Sequence, residues 1–140
     1  MNVISCNGIN VIVDAAEKVL MDHTAIIEVQ GAGDSTVKRS MLPRANTANM
    51  YAIFLQGHDS ADWNLVYLGV RQKRAIRQRL SQHFFKCHEG TESKLDKVTQ
   101  AVSEGYRVGF TTALLEDDLL RTAIESHLIE RQKPKWNVKG

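Results

Sequence analysis

The chain has 140 residues, of which 43% are hydrophobic and 24% are charged, and its formal net charge is +2. This composition is ordinary for a soluble globular protein, so it excludes an intrinsically disordered or fibrous chain. The length fits a single domain with a small appendage, and the lack of an apolar run of roughly 20 residues excludes a membrane-spanning helix.

Turn and capping signals divide the first part of the chain. Asn7-Gly8 lies between two short apolar runs, and this pair tolerates the positive φ that a tight β-hairpin needs. Asp14 can cap a helix that follows, and a β-rich segment comes after that helix. Residues 1–48 are therefore expected to be a small accessory extension to a main domain of residues 49–140. The extension is predicted to contain a β-hairpin over 3–13, a helix over 15–22 and a strand over 24–30.

The main domain shows strand and helix signals in turn. Two apolar, β-rich segments flank a polar loop with Gly57, which is typical of an antiparallel pair. Ile76, Leu80 and Phe84 recur at helical spacing and predict one buried helix face. The expected fold class is α+β, a three-stranded antiparallel sheet flanked by helices. The predicted strands are 50–55, 65–70 and 106–112, and the predicted helices are 75–87, one from Thr91 or Ser93 to Glu104, and one from Asp117 that ends before Pro134.

Between Arg71 and Lys86 the chain carries six basic residues and no acidic one. Such a run is commonly a solvated surface, and it is also typical of a patch that contacts phosphates, where each neutralised phosphate releases counterions. Charge alone does not choose between the two interpretations. On the second interpretation the DNA-binding residues are Arg71, Lys73, Arg74, Arg77 and Lys86.

The two cysteines, Cys6 and Cys87, lie far apart and form no Cys-x-x-Cys motif. They are expected to be reduced and to behave as small hydrophobic residues, which favours a cytoplasmic protein over a disulfide-bonded or zinc-binding one. The N-terminal segment lacks the charged and then apolar pattern of a signal peptide. No membrane partner is therefore expected.

Five short motifs follow one another in residues 50–137. A tyrosine stands on the first strand of the main domain in Asn49-Met50-Tyr51, and the second strand contains Tyr67-Leu68-Gly69. The first helix carries an arginine and a histidine four residues apart, the last helix carries a glutamate, and the tail carries an asparagine behind a proline. This order resembles the GIY-YIG nuclease domain. The resemblance implies these catalytic residues: Tyr51, Tyr67, Arg79, His83, Glu125 and Asn137.

Two departures from the family pattern leave alternatives open. Asn49-Met50 replaces the Gly-Ile that opens the first half-motif of the family, which changes the entry into the strand. The segment from Gly69 to Arg79 is slightly longer than is usual in the family, and this makes Arg77 a rival for the catalytic arginine. Arg79 is preferred because it keeps the Arg-Leu-x-x-His spacing.

The resemblance implies phosphodiester hydrolysis assisted by a metal ion. Glu125 would hold one hard divalent cation, Mg²⁺ or Mn²⁺, while waters and phosphate oxygens complete its ligand shell. The cation would polarise the phosphate and assist departure of the 3′ oxygen. Arg79 would clamp a phosphate oxygen through its planar guanidinium fork.

The resemblance also assigns roles to the aromatic residues. Tyr51 would act as general base or position the attacking water, with Tyr67 in support. A phenol has a pKa of about 10, so action as a base requires a cationic environment. The basic run after Gly69 offers one, and Lys73 is the candidate within it. His83, one helical turn from the arginine, would orient the site or relay a proton.

The leading hypothesis is a metal-dependent DNA endonuclease, restriction-like or phage-type, with DNA as its partner. A repair or recombination nuclease is an alternative within the same class, and a catalytically inactive nucleic-acid-binding module of the same fold is an alternative outside it. A protein–protein adaptor is a third class, and it predicts an affinity that changes little with salt. Sequence specificity would come from residues 1–48, from the loop 56–64, or from formation of a homo-oligomer.

Overall fold

The computed structural model describes residues 2–5, 7–34, 40–85 and 93–137. Within these residues the α+β class is confirmed, and the main domain has the expected order β-β-α-α-β-α. None of the described helices has the length and apolarity that crossing a membrane requires. The helices are α1 (Asn7–Leu20), α2 (Ile76–Phe84), α3 (Leu95–Ser103) and α4 (Arg121–Gln132), and the strands are β1 (Ile27–Glu28), β2 (Met50–Gln56), β3 (Trp63–Val70) and β4 (Arg107–Ala113).

Among the described residues the sheet has four antiparallel strands in the order β1-β4-β2-β3, so the expectation of three strands was wrong. The additional strand, β1, pairs with β4 and places Glu28 opposite Gly109. Gly109 permits this pairing, because a Cβ there would lie 2.5 Å from the side chain of Ile26 and 3.2 Å from the carbonyl oxygen of Ile27. The strand expected over 24–30 is thus only two residues long, yet it forms one edge of the sheet.

The β-hairpin expected over residues 3–13 was also wrong, because the chain forms α1 there. Apolar side chains recur every three or four residues in this helix, and Val13, Ala16 and Leu20 are buried. Burying a helical stripe against the sheet stabilises the fold more than the local preference of Asn7-Gly8 for a turn. The helical spacing of the apolar residues, and not the turn signal of Asn7-Gly8, therefore determines that this segment forms a helix.

Helix α1 also replaces the shorter helix expected over residues 15–22. Asp14, predicted to cap that helix, lies inside α1 and accepts a hydrogen bond of 2.7 Å from Nη1 of Arg131 on α4. Glu17 accepts a hydrogen bond of 2.9 Å from Nε2 of Gln132, also on α4. These exposed contacts each contribute little stability, and the buried cluster that α1 and α4 share holds the two helices together.

Helices cover both faces of the sheet, with α2 and α3 on one face and α1 and α4 on the other. Alternation along β2 decides which side chains meet which pair of helices. Tyr51 and Ile53 belong to the buried cluster beneath α2 and α3, whereas Met50, Ala52 and Phe54 belong to the cluster beneath α1 and α4. The two clusters are therefore separated by the backbone of the sheet.

A β-bulge in β3 decides where the second tyrosine points. Ile53 pairs with Tyr67 but Phe54 pairs with Leu65, so Val66 is an additional residue on β3. Leu65 packs beneath α1 and α4, and strict alternation would send Tyr67 to that same face. The additional residue reverses this, and Val66 and Tyr67 both lie on the α2–α3 face. Tyr67 therefore shares a face with the tyrosine of β2.

Candidate active site

Tyr51 lies in β2 with only 1% of its surface exposed. It pairs with Gly69 of β3, and its ring covers this glycine: a Cβ at position 69 would lie 2.3 Å from both Cζ and Oη of Tyr51. No side chain fits there unless the ring moves. The glycine at position 69 therefore leaves the space that the ring of Tyr51 occupies.

We expect Gly69→Ala to destabilise the fold by about 1 to 3 kcal/mol, because the added methyl group overlaps the ring of Tyr51 and strains a packed core. Gly8→Ala is the matched control, since nothing lies within 4 Å of a Cβ at position 8 and alanine favours a helix. Urea unfolding of both variants measures the two free energies. Equal stability of the two variants would contradict the packing of Tyr51 over Gly69.

Tyr67 stands diagonally opposite Tyr51 on the neighbouring strand, and their ring centroids are 6.1 Å apart. His83 of α2 completes a triangle of rings, with its centroid 5.4 Å from each tyrosine centroid. Just before α3, Lys94 places its Nζ 5.4 Å from the centroid of the Tyr67 ring, which is a cation–π distance. Because Tyr67 is only half-buried, this group of side chains reaches from the core to the surface.

The hydrogen bonds of His83 fix which nitrogen carries its proton. Its Nδ1 accepts a hydrogen bond of 2.9 Å from the main-chain N–H of Lys94, so Nδ1 carries no proton. A neutral imidazole then has its proton on Nε2, and Nε2 lies 2.7 Å from Oη of Tyr51. His83 therefore donates to Tyr51 and orients it. The alternative role, relay of a proton from Tyr51 to Nε2, is closed to this tautomer.

His83 is fully buried, and this burial is the largest cause that lowers its pKa to about 3. The positive charges of Arg79, Lys94 and Arg71 lower the pKa further. His83 is therefore neutral at pH 7, as the assignment of its tautomer requires.

A buried neutral histidine makes the stability of the fold depend on pH. The pKa of His83 is about 3 in the folded protein, against an ordinary value of 6.5. Between these values the unfolded chain binds the additional proton, so stability decreases as the pH falls through this window. From pH 7 to pH 5 we expect the wild-type free energy of unfolding to fall by about 2 kcal/mol more than that of His83→Gln.

Denaturant titrations at the two pH values measure this difference. The exposed His127 provides the control, because His127→Gln should keep the pH dependence of the wild type. A pH dependence that His83→Gln leaves unchanged would show that His83 is not buried in its neutral form.

Burial raises the pKa of both tyrosines. For Tyr51 the charge of Tyr67 adds to this effect, and the nearby guanidinium of Arg79 opposes it. Arg79, a member of the basic run, lowers the pKa of both tyrosines as expected, but burial has the larger effect and raises it. Lys73, the expected candidate, instead acts on Asp118, whose pKa its charge helps to lower. Both phenols are therefore protonated at neutral pH in the free protein.

Arg79 and Arg77 point in different directions from α2. Nη1 of Arg79 donates a hydrogen bond of 3.0 Å to Oε1 of Gln82, and its guanidinium is close enough to lower the pKa of both tyrosines. Nη1 of Arg77 donates a hydrogen bond of 2.8 Å to the carbonyl oxygen of Leu42, which ties α2 to the segment before β2. The geometry therefore brings Arg79, and not Arg77, to the pair of tyrosines.

Glu125 projects from α4 towards the outer edge of β3. Burial raises the pKa of its carboxyl group, and a hydrogen bond from the main-chain N–H of Val70 opposes this rise. Its charge raises the pKa of both tyrosines, so the carboxylate lies within electrostatic reach of them. Arg121, one turn earlier on the helix, is not its partner, because Arg121 forms an ion pair with Asp118.

The described residues contain no cluster of three His, Cys, Asp or Glu side chains that could hold a metal ion. A Mg²⁺ site does not require one, because Mg²⁺ is commonly bound by one or two carboxylates together with water and phosphate oxygens. Glu125 fits this arrangement, since within the described part of the chain its carboxylate forms no ion pair, and the N–H of Val70 donates to it. The carboxylate therefore suits a hard cation whose other ligands are waters and phosphate oxygens.

Asn137 lies in the 3-10 turn Lys135–Asn137 and clamps the outer edge of β3. Its Oδ1 accepts from the N–H of Leu68, and its Nδ2 donates to the carbonyl oxygen of Leu68, both at 2.8 Å. The side chain thereby satisfies main-chain groups that an edge strand leaves unpaired. Asn137 thus holds the segment between Tyr67 and Gly69 in place, and its catalytic role stays a prediction.

Asn49 is a residue of the site that the sequence patterns did not single out. It is fully buried, and its side chain accepts a 2.7 Å hydrogen bond from the N–H of Leu115 and donates a 3.0 Å hydrogen bond to Oδ1 of Asp118. Asn49 thus fastens the entry of β2 to the loop before α4, where the GIY-YIG pattern has glycine. Its signal in the sequence is a polar residue directly before an apolar strand. Lys94 is a second site residue that the sequence patterns did not identify, and it has no such signal.

The structure gathers only part of the basic run into one surface. Arg71, Lys73 and Arg74 are exposed between the end of β3 and the start of α2. Arg77 is turned towards the segment before β2, and Lys86 lies outside the described residues. The exposed phosphate-binding candidates therefore lie at the Val70 end of β3.

The four-stranded antiparallel sheet with helices on both faces is an α+β fold that this chain shares with a solved structure of a bacteriophage protein. One solved structure with this fold is that of a glutamate-to-alanine mutant of bacteriophage T4 EndoII. The two chains are 18% identical with a TM-score of 0.57, and the match covers 89% of this chain and 97% of that chain. No protein-family model and no curated protein matches the sequence. At this level of identity the likeness shows a shared fold.

Proposed function

We propose that this protein is a divalent-metal-dependent DNA endonuclease of the phage type. One observation carries the proposal: two phenols, one guanidinium and one carboxylate without an ion-pair partner among the described residues converge at the edge of β3. Phosphodiester hydrolysis needs a positioned water, stabilisation of charge at phosphorus and help for the leaving oxygen, and this set can supply them. The fold shared with bacteriophage T4 EndoII supports the same class. The four residues are Tyr51, Tyr67, Arg79 and Glu125.

The two charged groups would act on the phosphate. Glu125 would hold Mg²⁺ or Mn²⁺, and the cation supplies positive charge for the phosphate and for the leaving oxygen. Arg79 would bind a phosphate oxygen through its guanidinium fork and offset the negative charge that develops there. The hydrogen bond from Val70 holds the carboxylate of Glu125 at the edge of β3.

Tyr51 would position the attacking water rather than act as a strong base, because its raised pKa keeps the phenol protonated. Its oxygen accepts the N–H of His83 and a hydrogen bond from Arg79, so these two residues together fix where the phenol that would position the water lies. Lys94 in turn orients His83 through its main-chain N–H. The contacts from Lys94 to His83 to Tyr51 thus set where the nucleophile lies.

A plasmid-nicking assay tests the proposed function. We expect supercoiled plasmid to be converted to open-circular and linear forms with Mg²⁺ or Mn²⁺, to remain intact with a chelator, and to be cut again when excess Mg²⁺ is restored. The reason is that the cation held by Glu125 would supply the positive charge that assists the leaving oxygen, and a chelator removes it. Binding of the plasmid without cleavage under any divalent ion would instead indicate a non-catalytic nucleic-acid-binding module.

A further inference from the structure

A cavity of about 440 Å³ lies beside β3, between α3 and the C-terminal 3-10 turn. Its floor is apolar and includes Val66 and Trp136, which are buried. Lys97 of α3 and Lys135 of the 3-10 turn both line the cavity and are exposed. A groove with an apolar floor and lysines from two different elements suits a polyanion with a non-polar component.

The groove lies next to the candidate active site along β3. Val66 on its floor directly precedes Tyr67, and both lie on the α2–α3 face. Lys94 lies over the ring of Tyr67, and Lys97 follows three residues later, about 4.5 Å further along the axis of α3. Lys94 therefore places positive charge over Tyr67, and Lys97 places it in the groove.

One acidic residue, Glu104, also lines the groove. It lies ten residues after Lys94, about 15 Å along the helix axis, and its carboxylate accepts a hydrogen bond of 3.2 Å from Nε2 of Gln100. The acidic group is therefore at the far end of α3 from Tyr67. The part of the groove nearest to the tyrosines carries positive charge.

The groove and the exposed basic residues of the 71–74 segment lie at opposite ends of β3. The groove borders Asn64 at the start of this strand, and the basic segment follows Val70 at its end, with Tyr67 between them. From 64 to 70 an extended strand spans about 20 Å. At about 3.4 Å of helix axis for each phosphate on one DNA strand, this distance corresponds to about six nucleotides.

We propose that this groove is a DNA-binding subsite that holds the phosphate backbone flanking the scissile phosphate, with Lys97 and Lys135 as its phosphate-contacting residues. The proposal rests on the proposed function and adds a path for the substrate: the backbone runs along β3 from the 71–74 segment, past Tyr67, into the groove. The apolar floor at Trp136 lies beneath the sugars.

Salt-dependent binding of a fluorescently labelled DNA duplex, measured with the full chain and a chelator, tests the subsite without any cleavage. We expect Lys97→Gln and Lys135→Gln each to reduce the slope of log K against log salt by about 0.9, and the double variant to reduce it by about 1.8. At 0.1 M salt each single change should weaken binding about eightfold. Lys18→Gln is the control, because this exposed lysine lies on α1, on the other face of the sheet.

The outcomes separate this proposal from the proposed function. Slopes and affinities equal to those of Lys18→Gln, in a protein that still cuts plasmid DNA, would overturn the subsite and leave the nuclease intact. Reduced slopes in a protein that cuts no DNA under any divalent ion would support the subsite and overturn the nuclease. A wild-type protein that does not bind the duplex overturns the subsite as well.

Discussion

We expect Glu125→Gln to slow metal-dependent cleavage of plasmid DNA by at least about 100-fold. Glutamine has nearly the same shape and can still accept the N–H of Val70, so the fold should be preserved. It lacks the negative charge that a divalent cation requires. Initial rates over a range of Mg²⁺ concentrations measure the effect, and the binding of a DNA duplex in the presence of a chelator should be no weaker than in the wild type.

Glu130→Gln is the matched control for this variant, since Glu130 is exposed on the same helix and the charge change is identical. It should cleave at the wild-type rate. If Glu125→Gln cleaved as fast as Glu130→Gln at every Mg²⁺ concentration, the assignment of the cation to Glu125 would be wrong. The plasmid assay on the wild type would then remain the test of the enzyme class.

We expect Arg79→Lys to reduce the cleavage rate by about 100-fold or more, although the positive charge is retained. Lysine offers a point charge in place of the planar fork, so it cannot bind a phosphate oxygen pair in the same geometry. It also loses the hydrogen bond that holds the guanidinium against Gln82. Single-turnover cleavage at saturating protein separates this loss of rate from a loss of DNA affinity.

Two further lysine variants make this test specific to one arginine. Arg77→Lys should retain the cleavage rate and lose some stability, because Arg77 contacts the carbonyl oxygen of Leu42. Arg107→Lys is the surface control, since Arg107 is exposed on β4, with its partner Glu28 at 3.4 Å. A slow Arg77→Lys variant beside a fast Arg79→Lys variant would reverse the assignment of the two arginines.

The strands and helices of the main domain could be predicted because their sequence patterns are local, and the residues that these patterns mark as apolar are buried in the structure. The apolar segment that became β2 is buried along most of its length, and Ile76, Leu80 and Phe84 do lie on the buried face of α2. The motif tyrosines, the arginine and the glutamate could be placed on these elements by spacing. Their convergence at the edge of β3 follows from the sheet order, which periodicity does not encode.

The N-terminal elements were predicted poorly because two local signals competed there. Asn7-Gly8 favours a turn, while the recurrence of apolar residues up to Leu20 favours a helix. The cluster beneath α1 and α4 buries Val13 and Leu20 almost completely, and this burial exists only in the folded protein. In the same way β1 forms because Gly109, distant in sequence, leaves space for it.

The sequence alone determined the strands and helices of the main domain and the chemical types available to the site, because periodicity and residue identity are local properties. The tertiary structure alone decided the geometry of that site. The bulge at Val66 turns Tyr67 to the face of Tyr51, and the N–H of Lys94 fixes the proton of His83 on Nε2. Both effects depend on contacts between segments that are distant in the chain, so no local pattern contains them.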